Sequence, residues 1–222
     1  FQNQDDKNMF IKYDILKDQK NEVIKGSGVN TIYYSYYEIN KKSKETNFLF
    51  IGRIIKDKGI YELITAFKKI LSKYNNINLY ILGDIDINNP FKISLSEINQ
   101  WENDKIINYI GYKEDIRKYI KLSDCIILPS YREGLPKSLL QASSCGRPMI
   151  ATDVPGCKEV VINNYNGFLC MKKNSHDLYL KIEKFINSKL EDRIQMGINA
   201  RDHVIKNFDE KIIIDKYLRH II

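Results

Sequence analysis

The sequence lacks several of the short motifs that would assign a chain to a common class of protein. Its four cysteines include no C-x-x-C pair, so we expect free thiols in a reducing compartment rather than a zinc site or a disulfide framework. The turn at residues 26–30 lacks the third glycine and the following helix of a dinucleotide-binding fingerprint, which argues against a dehydrogenase. Internal repeats and low-complexity blocks are also missing.

Long apolar runs and massed charges are absent as well. No apolar run approaches the roughly 18 residues that a membrane-spanning helix requires, and the first residues do not form a signal peptide. The chain begins without an initiator methionine, and we expect it to be a piece of a longer protein. The basic residues behind its net charge of +7 are scattered among acidic ones. Such a balance suits an anionic substrate, a nucleic acid or an anionic membrane surface without choosing between them.

The sequence does contain a regular alternation of apolar segments. Short apolar runs predict strands at residues 47–51, 77–82, 105–110, 125–128, 148–152 and 167–170. Apolar residues at helical spacing, with turn signals, predict helices at residues 60–71, 93–102, 114–122, 136–142, 155–161, 178–186, 191–206 and 210–221. Residues 31–37 are expected to be extended. Alternating strands and helices require crossover connections, so the sequence predicts an α/β fold with a doubly wound, Rossmann-like parallel sheet.

Two loops that follow predicted strands carry charged side chains. Arg53 and Lys58 follow the first strand, and Glu133 follows the strand at residues 125–128, just before a helix begins. In a parallel sheet these loops lie at the same edge, where ligands bind. Two cations on one loop can hold phosphate oxygens, arginine through its two-pronged guanidinium group and lysine as a point charge. The competing interpretation is that these residues are solvated surface charges.

The loops belong to an ordered series of motifs. The series comprises Ile51-Gly52-Arg53 with Lys58-Gly59, Tyr109-Ile110-Gly111, and residues 123–130, 133–142, 146–153, 159–161 and 166–169. Together the motifs resemble the donor-binding, C-terminal half of GT-B glycosyltransferases, specifically the retaining family 4. The resemblance spans about residues 27–170. It is most similar to bacterial enzymes that build capsule, O-antigen or other glycan chains.

The resemblance implies a role for each candidate residue. Arg53 and Lys58 match the pair that holds the donor diphosphate and neutralises the leaving nucleoside diphosphate, so neither a metal nor another cofactor is expected. Glu133 matches the acid that contacts the donor sugar, and with Arg53 and Lys58 it forms the expected catalytic set. The remaining assignments are sugar and diphosphate contacts at Gly134, a diphosphate contact at Leu135, and a rim for the base formed by Ile110, Gly111 and Tyr112.

One position departs from the family pattern. The family has a second glutamate after seven intervening residues, which accepts hydrogen bonds from ribose hydroxyls, whereas this chain has Gln141. A glutamine carbonyl can still accept one such bond but carries no charge. We expect altered binding of the ribose. The substitution also leaves open the alternative that the chain is a non-catalytic, GT-B-like regulatory or scaffolding module.

The resemblance also implies an organisation for the whole enzyme. Residues 1–22 match the last strand and turn of an N-terminal domain, with its linker. Residues 23–205 match the nucleotide-sugar-binding domain. Residues 206–222 match a helix that crosses back to the N-terminal domain. The enzyme would transfer a hexose or N-acetylhexosamine from a UDP-sugar to an acceptor hydroxyl with retention. Its expected partners are the nucleotide-sugar donor and a glycan or lipid-linked acceptor, not nucleic acid. We expect a cytoplasmic location with peripheral association at the inner face of the membrane, and no transfer by this piece alone.

Overall fold

The computed structural model describes residues 1–16, 21–39, 44–86 and 88–221. These residues form a six-stranded parallel sheet flanked by helices. The strands are β1 Thr46–Ile51, β2 Ile77–Leu82, β3 Asn108–Gly111, β4 Cys125–Leu128, β5 Met149–Thr152 and β6 Gly167–Cys170. The helices are α1 Gln4–Lys12, α2 Ile60–Leu71, α3 Leu95–Asn103, α4 Arg117–Leu122, α5 Lys137–Ser144, α6 Cys157–Val160, α7 Ser175–Ile186, α8 Leu190–Phe208 and α9 Glu210–Ile221. A 3-10 turn, Lys56–Lys58, precedes α2.

The order of the strands confirms the predicted doubly wound fold. It is β3-β2-β1-β4-β5-β6, and every neighbouring pair is parallel. The chain moves outward from β1 through β2 to β3, returns to place β4 on the other side of β1, and then moves outward again. The direction therefore reverses between β1 and β4. In such sheets ligands bind in the crevice at the carboxyl ends of the strands, at this switch point.

The sheet is buried because its central strands are apolar on both faces, as parallel strands covered by helices must be. All four residues of β4 and of β5 are buried. In β1, the ring of Phe48 meets the rings of Phe67 from α2 and Phe185 from α7 in edge-to-face contacts, with centroids 5.5 and 5.6 Å apart. These contacts join the first strand to two helices.

Three predicted segments differ from the structure. The strand expected at residues 105–110 begins only at Asn108, because Lys105 adopts a left-handed φ of 56° in the turn after α3. Residues 31–37, expected to be extended, begin with a turn, because the Asn30 side chain accepts hydrogen bonds from the amides of Ile32 and Tyr33.

The start of the chain also differs from the expectation of a strand and a turn. It forms α1, because the Asn3 side chain caps the helix at the amide of Asp6. Asp5 and Asp6 then lie in the first turn, where the helix dipole favours negative charge. Residues 17–20 of the predicted remnant and linker, and residue 222 of the predicted terminal helix, lie outside the described residues.

The predicted helices at residues 178–186, 191–206 and 210–221 are confirmed as α7, α8 and α9. Within the described ranges, none of the helices has both the length and the apolar character needed to cross a bilayer.

Candidate functional site

The loops after β1 and β4 are locked together at the switch point. The amide of Tyr131 donates a 2.8 Å hydrogen bond to the carbonyl of Asp57. Gly59, with φ 72°, ends the 3-10 turn and begins α2. A Cβ atom at Gly59 would lie 2.8 Å from the carbonyl carbon of Pro129 and closer still to its oxygen. The two loops can approach this closely only because residue 59 has no side chain.

Lys58 and Glu133 meet across this junction. Lys58 Nζ lies 2.5 Å from Glu133 Oε1, although the two residues are 75 positions apart in the sequence. Their side chains are only 19% and 11% exposed, respectively. The structure therefore brings together two of the predicted site residues from separate loops. A cation and a carboxylate shielded from water interact more strongly than a surface pair does.

Tyr131 adds a second connection between the same elements. Its hydroxyl lies 2.7 and 2.8 Å from the two carboxylate oxygens of Glu62 in α2. Burial, and then the hydrogen bond to this carboxylate, raise the pKa of Tyr131, so the hydroxyl stays protonated and donates to Glu62. This contact was not predicted from the sequence, because Tyr131 and Glu62 are 69 positions apart and no sequence motif links them.

A cavity of about 420 Å³ opens at the carboxyl ends of β1, β2 and β3, where the loop after β1 begins. Three predicted site residues line it, namely Arg53, Tyr112 and Gln141. Tyr34, which the sequence did not mark, lines it too. The volume falls in the range of known small-molecule sites. The cavity also mixes aromatic rings with polar and charged groups.

Arg53 and Lys58 pair with different carboxylates. Its Nη1 lies 3.0 Å from Asp86 Oδ2, in the loop after β2, and its side chain is 61% exposed. The two cations predicted to act together are thus each paired with a separate carboxylate. An exposed pair such as Arg53–Asp86 contributes about 0–1 kcal/mol, so little opposes a turn of the guanidinium group towards another anion.

Gln141 is held by a tyrosine. Its Nε2 donates a 2.8 Å hydrogen bond to the hydroxyl of Tyr34. Burial is the largest cause that raises the pKa of Tyr34. The hydroxyl is therefore neutral at physiological pH.

The other predicted residues are distributed around these groups. Ile110 lines a separate cavity of about 530 Å³, so of the predicted base rim only Tyr112 lines the cavity that holds Arg53. Gly111 has φ 74° and open space where a Cβ atom would lie. Leu135 is half-buried, and its side chain packs against Gly26. These placements do not test the roles that the resemblance implies.

The start of the chain contacts the loop that carries Glu133. Asn3 is 1% exposed, and its Nδ2 donates a 3.1 Å hydrogen bond to the carbonyl of Gly134, 131 positions away. The same side chain accepts from the amide of Asp6 at 2.7 Å. Asn3 therefore caps α1 and fixes the loop at once. This double role was missed because its loop partner is remote in the sequence.

We expect Asn3→Ala to lower the free energy of unfolding by about 2 kcal/mol, since it removes a helix cap and a hydrogen bond to the half-buried loop at Gly134. Asn174→Ala is the matched control, because Asn174 caps α7 through the amide of Asp177 and should cost only about 1 kcal/mol. Urea denaturation measures both values. Equal losses in the two variants would mean that the bond to Gly134 adds nothing.

Among the described residues, no group of three or more His, Cys, Asp or Glu side chains is placed to share a metal ion. The expectation of a site without metal or other cofactor stays a prediction.

The doubly wound parallel sheet, with charged loops meeting at its switch point, is the Rossmann-like half of a GT-B glycosyltransferase fold. The structure of Anabaena Alr3699/HepE in complex with UDP superposes with a TM-score of 0.84 over 99% of this chain and 62% of that chain. At 18% identity this likeness shows the fold alone. The sequence profile described as glycosyl transferases group 1 matches residues 37–203, and the chain belongs to this family.

Two bacterial relatives match over most of the chain. N,N'-diacetylbacillosaminyl-diphospho-undecaprenol alpha-1,3-N-acetylgalactosaminyltransferase of Campylobacter jejuni is 31% identical over 215 residues, which are 92% of this chain and 54% of that protein. The capsular polysaccharide biosynthesis glycosyltransferase CapM of Staphylococcus aureus is 30% identical over 93% of this chain and 56% of its own length. The chain thus spans about half the length of these relatives.

Proposed function

We propose that this chain is the C-terminal, donor-binding part of a retaining glycosyltransferase of family 4, and that it binds the nucleotide portion of a UDP-sugar. The observation that carries the proposal is the Lys58–Glu133 pair at the switch point, together with a cavity at the same edge of the sheet that is lined by Arg53 and Gln141. Two further findings support it. One relative is named as an N-acetylgalactosaminyltransferase, and a structure of the same fold is a complex with UDP-glucose.

The donor diphosphate would be held by two cations and a helix terminus. Arg53 exchanges Asp86 for phosphate oxygens, and Lys58 supplies the second positive charge. The helix α5 begins after Pro136, which makes no side-chain capping bond, and the amides of Leu139 and Leu140 donate to the Pro136 carbonyl. The amides of Lys137 and Ser138 are therefore the ones that can meet a phosphate. The amides of Gly134 and Leu135, just before this helix, would also contact the diphosphate.

The rest of the donor would fill the sites beside the diphosphate. Glu133, with Gly134 next to it, contacts hydroxyls of the sugar. Gln141 accepts from the ribose through its carbonyl oxygen, and the segment from Ile110 to Tyr112 forms the rim that receives the base. Tyr112 is 66% exposed and lines the same cavity as Gln141, so its ring can cover a planar group there.

In the transfer step, the bond between the anomeric carbon and the diphosphate oxygen breaks, and its electron pair leaves with UDP. The acceptor hydroxyl oxygen bonds to the anomeric carbon on the same face, and its proton passes to the departing diphosphate. Negative charge grows on the leaving diphosphate. Arg53 and Lys58 stabilise this charge where it develops, without a metal ion or another cofactor.

For the whole protein we propose that residues 1–22 are the end of an N-terminal domain with its linker. Residues 23–205 form the donor domain, and residues 206–222 a helix that crosses back. Exposed apolar side chains on α9, including Ile214, Tyr217 and Leu218, support such a partner. The proposed acceptor is a glycan or a lipid-linked glycan, met in the cytoplasm by peripheral association with the inner face of the membrane.

The experiment that tests donor binding is calorimetry of this chain with UDP, UDP-N-acetylglucosamine and GDP. We expect weak binding of the uridine nucleotides and no sugar transfer. Arg53→Ala should weaken UDP binding by roughly 10- to 100-fold, because a charged hydrogen-bonding group on the diphosphate is worth about 1.5–3 kcal/mol. Glu133→Gln should mainly remove any preference for the sugar-bearing form.

Lys56→Ala is the control for lost charge, since Lys56 is an exposed cation on the loop that carries Arg53. Its affinity for UDP should match that of the unaltered chain. Weak and equal affinity of every variant for every nucleotide would contradict the proposal. That result would favour the alternative of a non-catalytic regulatory or scaffolding module, for which the replacement of a glutamate by Gln141 is the motivating observation.

A further inference from the structure

Tyr34 and Gln141 form a neutral pair on the wall of the cavity. Both line it, and the amide nitrogen of Gln141 donates to the Tyr34 hydroxyl at 2.8 Å. The two residues are 107 positions apart, one before β1 and the other on α5. Among the described residues, the carbonyl oxygen of Gln141 has no hydrogen-bond partner.

Tyr34 is itself fixed through its backbone. Its carbonyl oxygen accepts a 2.6 Å hydrogen bond from the Ser144 hydroxyl of α5 and a 3.3 Å bond from Arg201 of α8. Its amide donates to the carbonyl of Asn30 at 3.0 Å. Its ring packs edge-to-face against Tyr33, with centroids 5.1 Å apart. The hydroxyl therefore has a defined position relative to α5, where Gln141 lies.

A glutamine amide, unlike a carboxylate, has two different ends. One end donates through nitrogen and the other accepts through oxygen, so its function depends on which end faces the ligand. In this structure the Tyr34 hydroxyl oxygen accepts a hydrogen bond from the nitrogen end. Gln141 lines the cavity, and its carbonyl oxygen is not engaged by the bond to Tyr34, so it can accept from a ligand there. The Tyr34 hydroxyl keeps its own proton, because burial raises its pKa.

We propose that Tyr34 is a positioning residue that orients the Gln141 amide, so that its carbonyl oxygen accepts from the vicinal diol of the donor ribose. The inference rests on the proposed donor-binding function. In this proposal the neutral pair of Tyr34 and Gln141 recognises the diol. In this arrangement the hydroxyl of Tyr34 compensates for the charge that a glutamate would bring, by fixing the one acceptor that remains.

The test compares binding of UDP with binding of 2',3'-dideoxy-UDP by calorimetry on the whole chain. The ratio of the two dissociation constants measures recognition of the diol alone. We expect the unaltered chain to prefer UDP by roughly three- to tenfold, the value of one neutral hydrogen bond. Tyr34→Phe should remove most of this preference without changing the affinity for the dideoxy nucleotide. Tyr33→Phe, at the neighbouring exposed tyrosine, should leave both constants unchanged.

A second background separates positioning from a general structural role. In Gln141→Glu the carboxylate has two equivalent oxygens, so no orientation has to be selected. Tyr34→Phe should then leave the UDP preference nearly unchanged, whereas a merely structural tyrosine would lower it in both backgrounds. The latter result would overturn the inference.

The outcomes also distinguish this inference from the proposed function. Equal binding of UDP and the dideoxy nucleotide by the unaltered chain would overturn diol recognition while leaving donor binding intact. A Tyr34→Phe variant that keeps the full preference would overturn the role of Tyr34. Failure of the unaltered chain to bind either nucleotide would overturn both the proposed function and the inference.

Discussion

Lys58→Met is expected to lower the free energy of unfolding by roughly 2–3 kcal/mol and to reduce UDP binding below detection. The substitution keeps most of the length of the side chain but leaves the Glu133 carboxylate, 11% exposed, without its cation. Removing one partner of a buried pair costs about 3–5 kcal/mol, and the residual exposure of this pair reduces that figure. Urea denaturation and calorimetry measure the two effects separately.

A double variant tells the structural effect of Lys58 from its effect on the ligand. In Lys58→Met combined with Glu133→Gln no charge is left unpaired, so most of the stability should return while UDP binding stays lost. Lys56→Met removes an exposed lysine from the same turn and should alter neither quantity. If Lys58→Met bound UDP as tightly as the unaltered chain, Lys58 could not be a diphosphate ligand.

Gly59→Ala should destabilise the fold by roughly 3–5 kcal/mol, because it combines a left-handed backbone with a steric clash. The residue has φ 72°, and the new Cβ atom would press on the carbonyl group of Pro129, which is backbone and cannot rotate away. The loops after β1 and β4 would have to separate. We therefore expect UDP binding to fall together with stability, as read from urea denaturation and calorimetry.

Gly111→Ala separates the two causes of the destabilisation expected for Gly59→Ala, which are the left-handed backbone and the steric clash. Gly111 has a nearly identical φ of 74°, but in the described part of the chain no atom beyond Gly111 and its two neighbours lies within 4 Å of its Cβ position. Only the backbone cost, about 1–2 kcal/mol, should appear in its unfolding curve. Equal destabilisation at the two positions would show that the approach of Pro129 is unimportant.

The arrangement of the sheet could be predicted from the sequence because it depends on short-range pattern. Apolar runs separated by amphipathic helices dictate crossover connections, and parallel strands necessarily put the loops with Lys58 and Glu133 at one edge. The residue at which β3 begins could not be predicted as well, because the left-handed turn at Lys105 depends on one residue rather than on a periodic pattern.

The partners of the polar side chains could not be predicted in the same way. The pattern marked Arg53 and Lys58 as neighbours on one loop, but their choice of Asp86 and Glu133 depends on how the loops pack in three dimensions. The contact of Tyr34 with Gln141 joins segments that share no periodicity. Such contacts follow from tertiary packing, which local sequence does not encode.

The junction between the loops after β1 and β4 has a consequence for the kinetics of recognition. Its bonds, from Tyr131 to Asp57 and Glu62 and from Lys58 to Glu133, are intramolecular and exist before any nucleotide arrives. The conformational entropy of these segments is thus lost during folding rather than during association. For the nucleotide binding proposed above, such preorganisation predicts encounter rates that depend on diffusion and charge more than on loop rearrangement.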